Sequence, residues 1–83
     1  MNVLVTGGSG FIGRWVVKRL LDDNNQVWVL DDLSNGRAEN LDEFRANPDI
    51  DVTIGDIKDT AILSRLFRNN FDICIHLAAS IVV

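Results

Sequence analysis

Tyrosine is absent from this chain of 83 residues, and cysteine, proline, methionine and histidine each occur once. One cysteine, Cys74, cannot form an internal disulfide, which fits a reducing compartment. No apolar run approaches the ~18 residues of a membrane span, and no basic segment precedes an apolar one as in a signal peptide. Basic blocks are missing too: 8 Lys and Arg stand against 12 Asp and Glu, and a net charge of −4 disfavours a nucleic-acid partner. These gaps leave a cytoplasmic protein with neither membrane nor nucleic acid as partner as the expectation. The remaining composition is 47% hydrophobic and 24% charged, enough for one compact unit at the small end of domain size.

Glycine, by contrast, is concentrated. Four of the 6 glycines fall in "GGSGFIG", between Gly7 and Gly13, directly after the first apolar run. Glycine there costs conformational entropy and gives up packing, so the position must need bare backbone.

Along the chain, Asn2 to Val5 is too apolar to alternate and predicts a short buried strand. From Phe11 to about Leu21 apolar residues recur at helical spacing: Ile12, Trp15, Val16 and Leu20, with Val17 and Leu21 alongside. The polar turn "DDNN" ends that helix. "QVWVL" predicts a second strand, with Asp31 where it stops. "DDLSNGRAEN" leads into a weak helix around Glu39 to Ala46, closed by Asn47-Pro48. "DVTI" is a third strand followed by "GDI". A helix capped by Asp59 then carries Ile62, Leu63, Leu66 and Phe67 on one face, and "FDICIHLAA" is a fourth strand.

Strands alternating with helices through short connections predict an α/β fold: a Rossmann-type parallel sheet of order 3-2-1-4 with helices on both faces. Ligands of such sheets sit beyond the carboxyl ends of the strands. "GGSGFIG", "DDLSNG", "GDI" and "LAAS" all fall there.

The glycine segment fits G-x-G-x-x-G from Gly8 to Gly13, and G-x-x-G-x-x-G through Gly7, Gly10 and Gly13. One glycine permits the tight exit from the strand, another lets a pyrophosphate approach the backbone, and the last lets the helix pack on the sheet. The diphosphate then meets unpaired N–H groups and the positive helix end, so no lysine is required. Asp31, 18 residues after Gly13, stands where a carboxylate grips ribose hydroxyls. The rival P-loop reading fails, because Arg14 and Trp15 occupy the places of its Lys and Ser/Thr.

"VTGGSGFIG", "LDDLSNGRAENL", "GDI" and "IHLAAS", in this order, resemble the extended short-chain dehydrogenase/reductases, in the branch of nucleotide-sugar epimerases and dehydratases typified by UDP-glucose 4-epimerase. The resemblance implies NAD as cofactor and a nucleotide sugar as substrate. It also implies that Gly7, Gly10, Phe11, Ile12 and Gly13 line the pyrophosphate and that Asp31 takes the adenosine ribose. Asp32, Ser34, Asn35 and Gly36 would lie along the adenosine, and many relatives carry Asn at the place of Asp32. Asp56 and Ile57 would contact adenine. Leu77, Ala78, Ala79 and Ser80 would pass beneath the nicotinamide half. The family's catalytic set is a Ser/Thr with a Tyr-x-x-x-Lys pair, and without any tyrosine none of it lies here. The expectation is therefore a fragment: residues 1–83 as the NAD-binding half-domain, with no catalytic residue and no metal site. A non-catalytic dinucleotide-binding regulator or sensor is the alternative; Tyr-x-x-x-Lys further along the parent sequence separates the two.

Other conspicuous residues have plainer explanations. His76 at a strand end reads as a packed or hydrogen-bonded neighbour, and Cys74 as a small buried hydrophobe. Arg14 is expected to face solvent. Asp22, Asp23, Asp49 and Asp51 read as solvated turn residues, and Trp15 and Trp28 as core and flank packing.

One physical consequence concerns association. Ile73 to Leu77 would form an edge strand with unpaired backbone and little charge, while the third strand is shorter and flanked by aspartates. A chain this size buries only about 60–65% of its unfolded surface, leaving little stability in reserve. The isolated 83 residues are predicted to self-associate through that edge, with a homodimer of the parent protein as the alternative mode of association. Light scattering across a dilution series checks this: the mass must fall with dilution, and a dilution-independent monomer with cooperative unfolding contradicts it.

Overall fold

The computed structural model describes residues 1–7, 10–33 and 38–77. Strands β1 (Asn2–Thr6), β2 (Gln26–Asp31), β3 (Ile50–Ile54) and β4 (Ile73–His76) alternate with helices α1 (Phe11–Asp22) and α2 (Thr60–Leu66) and a 3-10 helix at Ala38–Phe44. The strands form one parallel sheet in the order β3-β2-β1-β4, as the sequence predicts.

Alternation along each strand sends side chains to two faces. Val3, Val5, Val27 and Val29 point to one face, where Val17 and Leu21 of α1 and Leu41 and Phe44 of the 3-10 helix cover them. Leu4 and Leu30 point to the other, against Leu66 of α2, with Trp28, Ile62, Leu63 and Phe71 around them. Valine and leucine fully buried on both faces explain why β1 and β2 read as continuous apolar runs. On α1 the residues that meet the sheet are Gly13, Val17 and Leu21, at four-residue spacing. Salt bridges Lys18–Asp22 and Arg19–Asp23 lie on its exposed side, and hydrogen bonding to Asp22 raises the Lys18 pKa. These pairs, together with the turn beyond them, account for Asp22 and Asp23.

The segment after β2 is a 3-10 helix rather than the weak α-helix expected at Glu39 to Ala46. Its side chains Leu41 and Phe44 are three residues apart, which the tighter 3-10 turn aligns onto the core. Helix α2 starts as predicted: the Asp59 carboxylate accepts from the Ala61 and Ile62 backbone N–H groups at 3.0 and 3.2 Å.

Three packing expectations need correction. Cys74 is exposed, not buried: it lies on the α2 side of the edge strand β4, and α2 packs over β1 and β2 instead. Trp15 is 55% exposed, because it falls away from the Gly13–Val17–Leu21 stripe; with Ile12, Val16, Arg19 and Leu20 it lines a shallow apolar groove of about 370 Å³. Phe67 caps the end of α2 and is also exposed, with its ring edge-on to Phe71 at 5.9 Å. Trp28 does pack as expected, edge-on to Phe71 at 5.2 Å.

Two substitutions separate core from cap. Leu4→Ala removes a side chain only 1% exposed and is expected to cost about 2–5 kcal/mol. Asp59→Ala removes two N-cap hydrogen bonds and is expected to cost about 1 kcal/mol. Urea titration of both variants checks the ranking, and a cap loss as large as the core loss would contradict it.

Candidate functional site

Parallel pairing puts all four carboxyl ends on one edge of the sheet. Thr6, the last residue of β1, stands level with Leu30 of β2 on one side and His76 of β4 on the other, and Asp31 stands level with Ile54 of β3. The chain leaves each strand there. Gly7 turns out of β1 at φ 79°, the left-handed region open to glycine, while its N–H donates to the Leu30 carbonyl at 2.8 Å. Gly10 is the N-cap of α1, and its carbonyl accepts from Arg14 N–H at 2.9 Å. Having no side chain, Gly10 offers the first-turn N–H groups no acceptor, and no acidic residue stands in that turn. Gly13 is buried where α1 meets the sheet. Phe11 and Ile12 are exposed beside this opening, at 75% and 69%.

Asp31 closes β2 and is only 6% exposed. Its carboxylate accepts from the Leu33 backbone N–H at 2.7 Å, and its carbonyl accepts from Gly55 N–H at 2.9 Å. Leu33 sits at φ 64°, which costs a leucine about 1–2 kcal/mol, so the Asp31 carboxylate stabilises a strained turn. Asp32 is exposed. Beyond β3, the Asp56 carboxylate accepts from Lys58 N–H at 2.8 Å, shaping the turn into α2. Ile57 is half-buried and packs toward Leu30, and Leu77 is half-buried against the valine-rich face. Ser34, Asn35, Gly36, Ala78, Ala79 and Ser80 lie outside the described residues.

Sequence reasoning missed two pairings. Arg14 does not simply face solvent: its guanidinium donates to the Glu43 carboxylate on the 3-10 helix, and that hydrogen bond raises its pKa. The buried Thr6 hydroxyl and His76 Nδ1 lie 2.6 Å apart across β1 and β4. His76 is thus a hydrogen-bonded neighbour, as its position implied. No local spacing relates residues 70 apart; the only available signal is that both end strands predicted to pair. Among the described residues no group of three or more His, Cys, Asp or Glu side chains is placed to hold a metal ion.

The model of the family described as GDP-mannose 4,6 dehydratase matches residues 4–83. UDP-glucose 4-epimerase of Mycolicibacterium smegmatis is 43% identical over the whole chain. Among solved structures, Pal from Bacillus thuringiensis superposes with a TM-score of 0.92 at 55% identity, covering 100% of this chain and 27% of its own. UDP-glucose 4-epimerase from Bifidobacterium longum, solved in complex with NAD+ and UDP, superposes at 0.85 with 33% identity, covering 96% of this chain and 25% of its own. The chain spans about a quarter of the length of such relatives, 26% for the M. smegmatis protein. A family model that runs from the first strand to the last residue, on a sheet of this order, has one meaning: the chain belongs to the GDP-mannose 4,6-dehydratase family of extended short-chain dehydrogenase/reductases.

Proposed function

We propose that residues 1–83 are the NAD-binding half-domain of a nucleotide-sugar epimerase or dehydratase, whose catalytic Tyr/Lys pair lies in the rest of the parent protein. One observation carries this reading. A left-handed glycine exit, an uncapped helix start and a buried strand-end carboxylate share one sheet edge. The donor set fits a dinucleotide: first-turn N–H groups suit a diphosphate, and Asp31 supplies acceptors for ribose hydroxyls. A relative crystallised with NAD+ and UDP supports the same assignment.

In this reading Gly7, Gly10, Phe11, Ile12 and Gly13 hold the pyrophosphate. Asp31 binds the ribose, with Asp32, Ser34, Asn35 and Gly36 along the adenosine. Asp56 and Ile57 meet the adenine, and Leu77, Ala78, Ala79 and Ser80 support the nicotinamide half. The bound nicotinamide supplies a reversible hydride acceptor, which is the chemistry needed to oxidise a sugar carbon transiently before inversion or elimination. These residues hold and orient; the proton of the sugar hydroxyl needs a base from outside them. Among the described residues no helix is long and apolar enough to cross a membrane, and a cytoplasmic setting suits a nucleotide-sugar enzyme.

The parent protein is expected to prefer NAD+ over NADP+. A 2′-phosphate about 4 Å from the Asp31 carboxylate would be repelled by roughly 4 kcal/mol at an effective dielectric of 20, before solvent screening. Asp31→Asn keeps an oxygen for Leu33 N–H but removes the charge, so it should narrow the preference by about tenfold or more. Calorimetric titration with both dinucleotides checks this; equal affinities in the unsubstituted protein would rule it out.

The 83 residues alone are expected to bind without turnover. Incubating rigorously purified chain with NAD+ and a panel of UDP-, dTDP- and GDP-sugars should leave every sugar unchanged. Conversion of any of them would place the acid/base group inside this segment.

A further inference from the structure

The Thr6–His76 hydrogen bond lies outside the residues assigned above, yet it sits between two of them. Gly7 follows Thr6 and Leu77 follows His76. Two backbone hydrogen bonds already tie these exits into the sheet: Leu77 N–H donates to the Thr6 carbonyl and Gly7 N–H to the Leu30 carbonyl, each at 2.8 Å. Both lie in the plane of the sheet and fix spacing along the strands. The side-chain bond stands above one face, the face of Leu4 and Leu30, because Thr6 and His76 alternate with Val5 and Ile75. It therefore resists a different motion, the twisting of β4 against β1.

That motion matters at this place. Among the described residues β4 is four residues long and pairs with β1, and the exits beyond these two strands carry Leu77 and Gly7, assigned above to the nicotinamide support and the pyrophosphate turn. Thr6 is 1% exposed, so losing its hydroxyl's partner leaves a buried polar group unpaired. The bond can form with either imidazole tautomer: the hydroxyl donates to Nδ1 when the ring proton is on Nε2, and accepts when Nδ1 carries it.

We propose that His76 is a positioning residue for the dinucleotide: through Thr6 it sets the exit at Leu77 against the glycine exit at Gly7, and so the relative placement of the nicotinamide support and the pyrophosphate turn. This rests on the dinucleotide-binding reading above. His76 acts without touching the cofactor, and its contribution is orientation of backbone on both sides of the bond.

The test uses the full-length parent protein, with NAD+ affinity by calorimetry and thermal stability measured together. Thr6→Val and His76→Ala should each weaken NAD+ binding by about tenfold, the scale of one hydrogen bond whose buried partner is left unpaired. The double variant should lose little more than either single one, because both remove the same bond. His76→Asn carries a polar atom at the place of Nδ1 and should restore binding to within about twofold, whereas His76→Gln carries it further out and should not. If Thr6→Val or His76→Ala fails to fold, the Asn and Gln pair alone decides: affinity must separate them at equal melting temperature. Melting temperatures that fall while NAD+ affinity stays constant would overturn the proposal and leave the bond a structural tie. An unsubstituted protein that does not bind NAD+ would overturn the dinucleotide reading itself, and this proposal with it.

Discussion

The site depends on parallel pairing of β1 between two neighbours. In a parallel sheet every strand runs out at the same edge, so the segments that follow the strands are forced together however distant they are in sequence. β1 is the shared partner: it pairs with β2 over five residues and with β4 over four. Val3, Leu4 and Val5 are essentially inaccessible to solvent, so the strand that carries the glycine exit is the most deeply held in the molecule.

Coverage of the two faces is uneven. The valine-rich face receives α1 and the 3-10 helix, the leucine face receives α2, and both concentrate their buried contacts on β1 and β2. At β4, Ile73 and Cys74 stay exposed, and on the flank of α1 so do Ile12 and Trp15. β3, at the other edge, leaves Val52 and Ile54 exposed although they alternate onto the face of Val29. The central strands are thus finished and the edges are not.

Electrostatics at the site follow from geometry more than from charged groups. The chain is acidic, and Arg14, in the first turn of α1, is engaged by Glu43. In the proposed function an anion meets the helix start, where Gly10 supplies no side-chain cap and the helix dipole is aligned. The Asp31 carboxylate sits one strand over, where it holds the strained Leu33 turn. One carboxylate thereby shapes the turn after β2, and in the proposed function it also offers ribose acceptors.

Much of this was legible in the residues themselves. Apolar runs too continuous to alternate marked strands buried on both faces, helical spacing marked α1, and the glycine cluster marked a backbone turn onto a helix. The inner side of α1 was not marked, since Ile12, Trp15, Val16 and Leu20 line its outer groove while Gly13, Val17 and Leu21 meet the sheet. Asp59 announced α2 as a cap. These are local signals, set by alternation, helical periodicity and the steric freedom of single residues, and they need no distant partner. Burial at the edges was not legible, because whether Cys74 or Trp15 meets a neighbour depends on where a helix from elsewhere in the chain comes to lie. Nor were the Arg14–Glu43 and Thr6–His76 pairs, which join residues 29 and 70 positions apart. Such contacts exist only once register is fixed, since a one-residue slip of β4 would send His76 to the opposite face from Thr6. The sequence by itself determined which elements form and which carry glycine and carboxylate; only the tertiary register decided which side chains those strand ends bring within a hydrogen bond of each other.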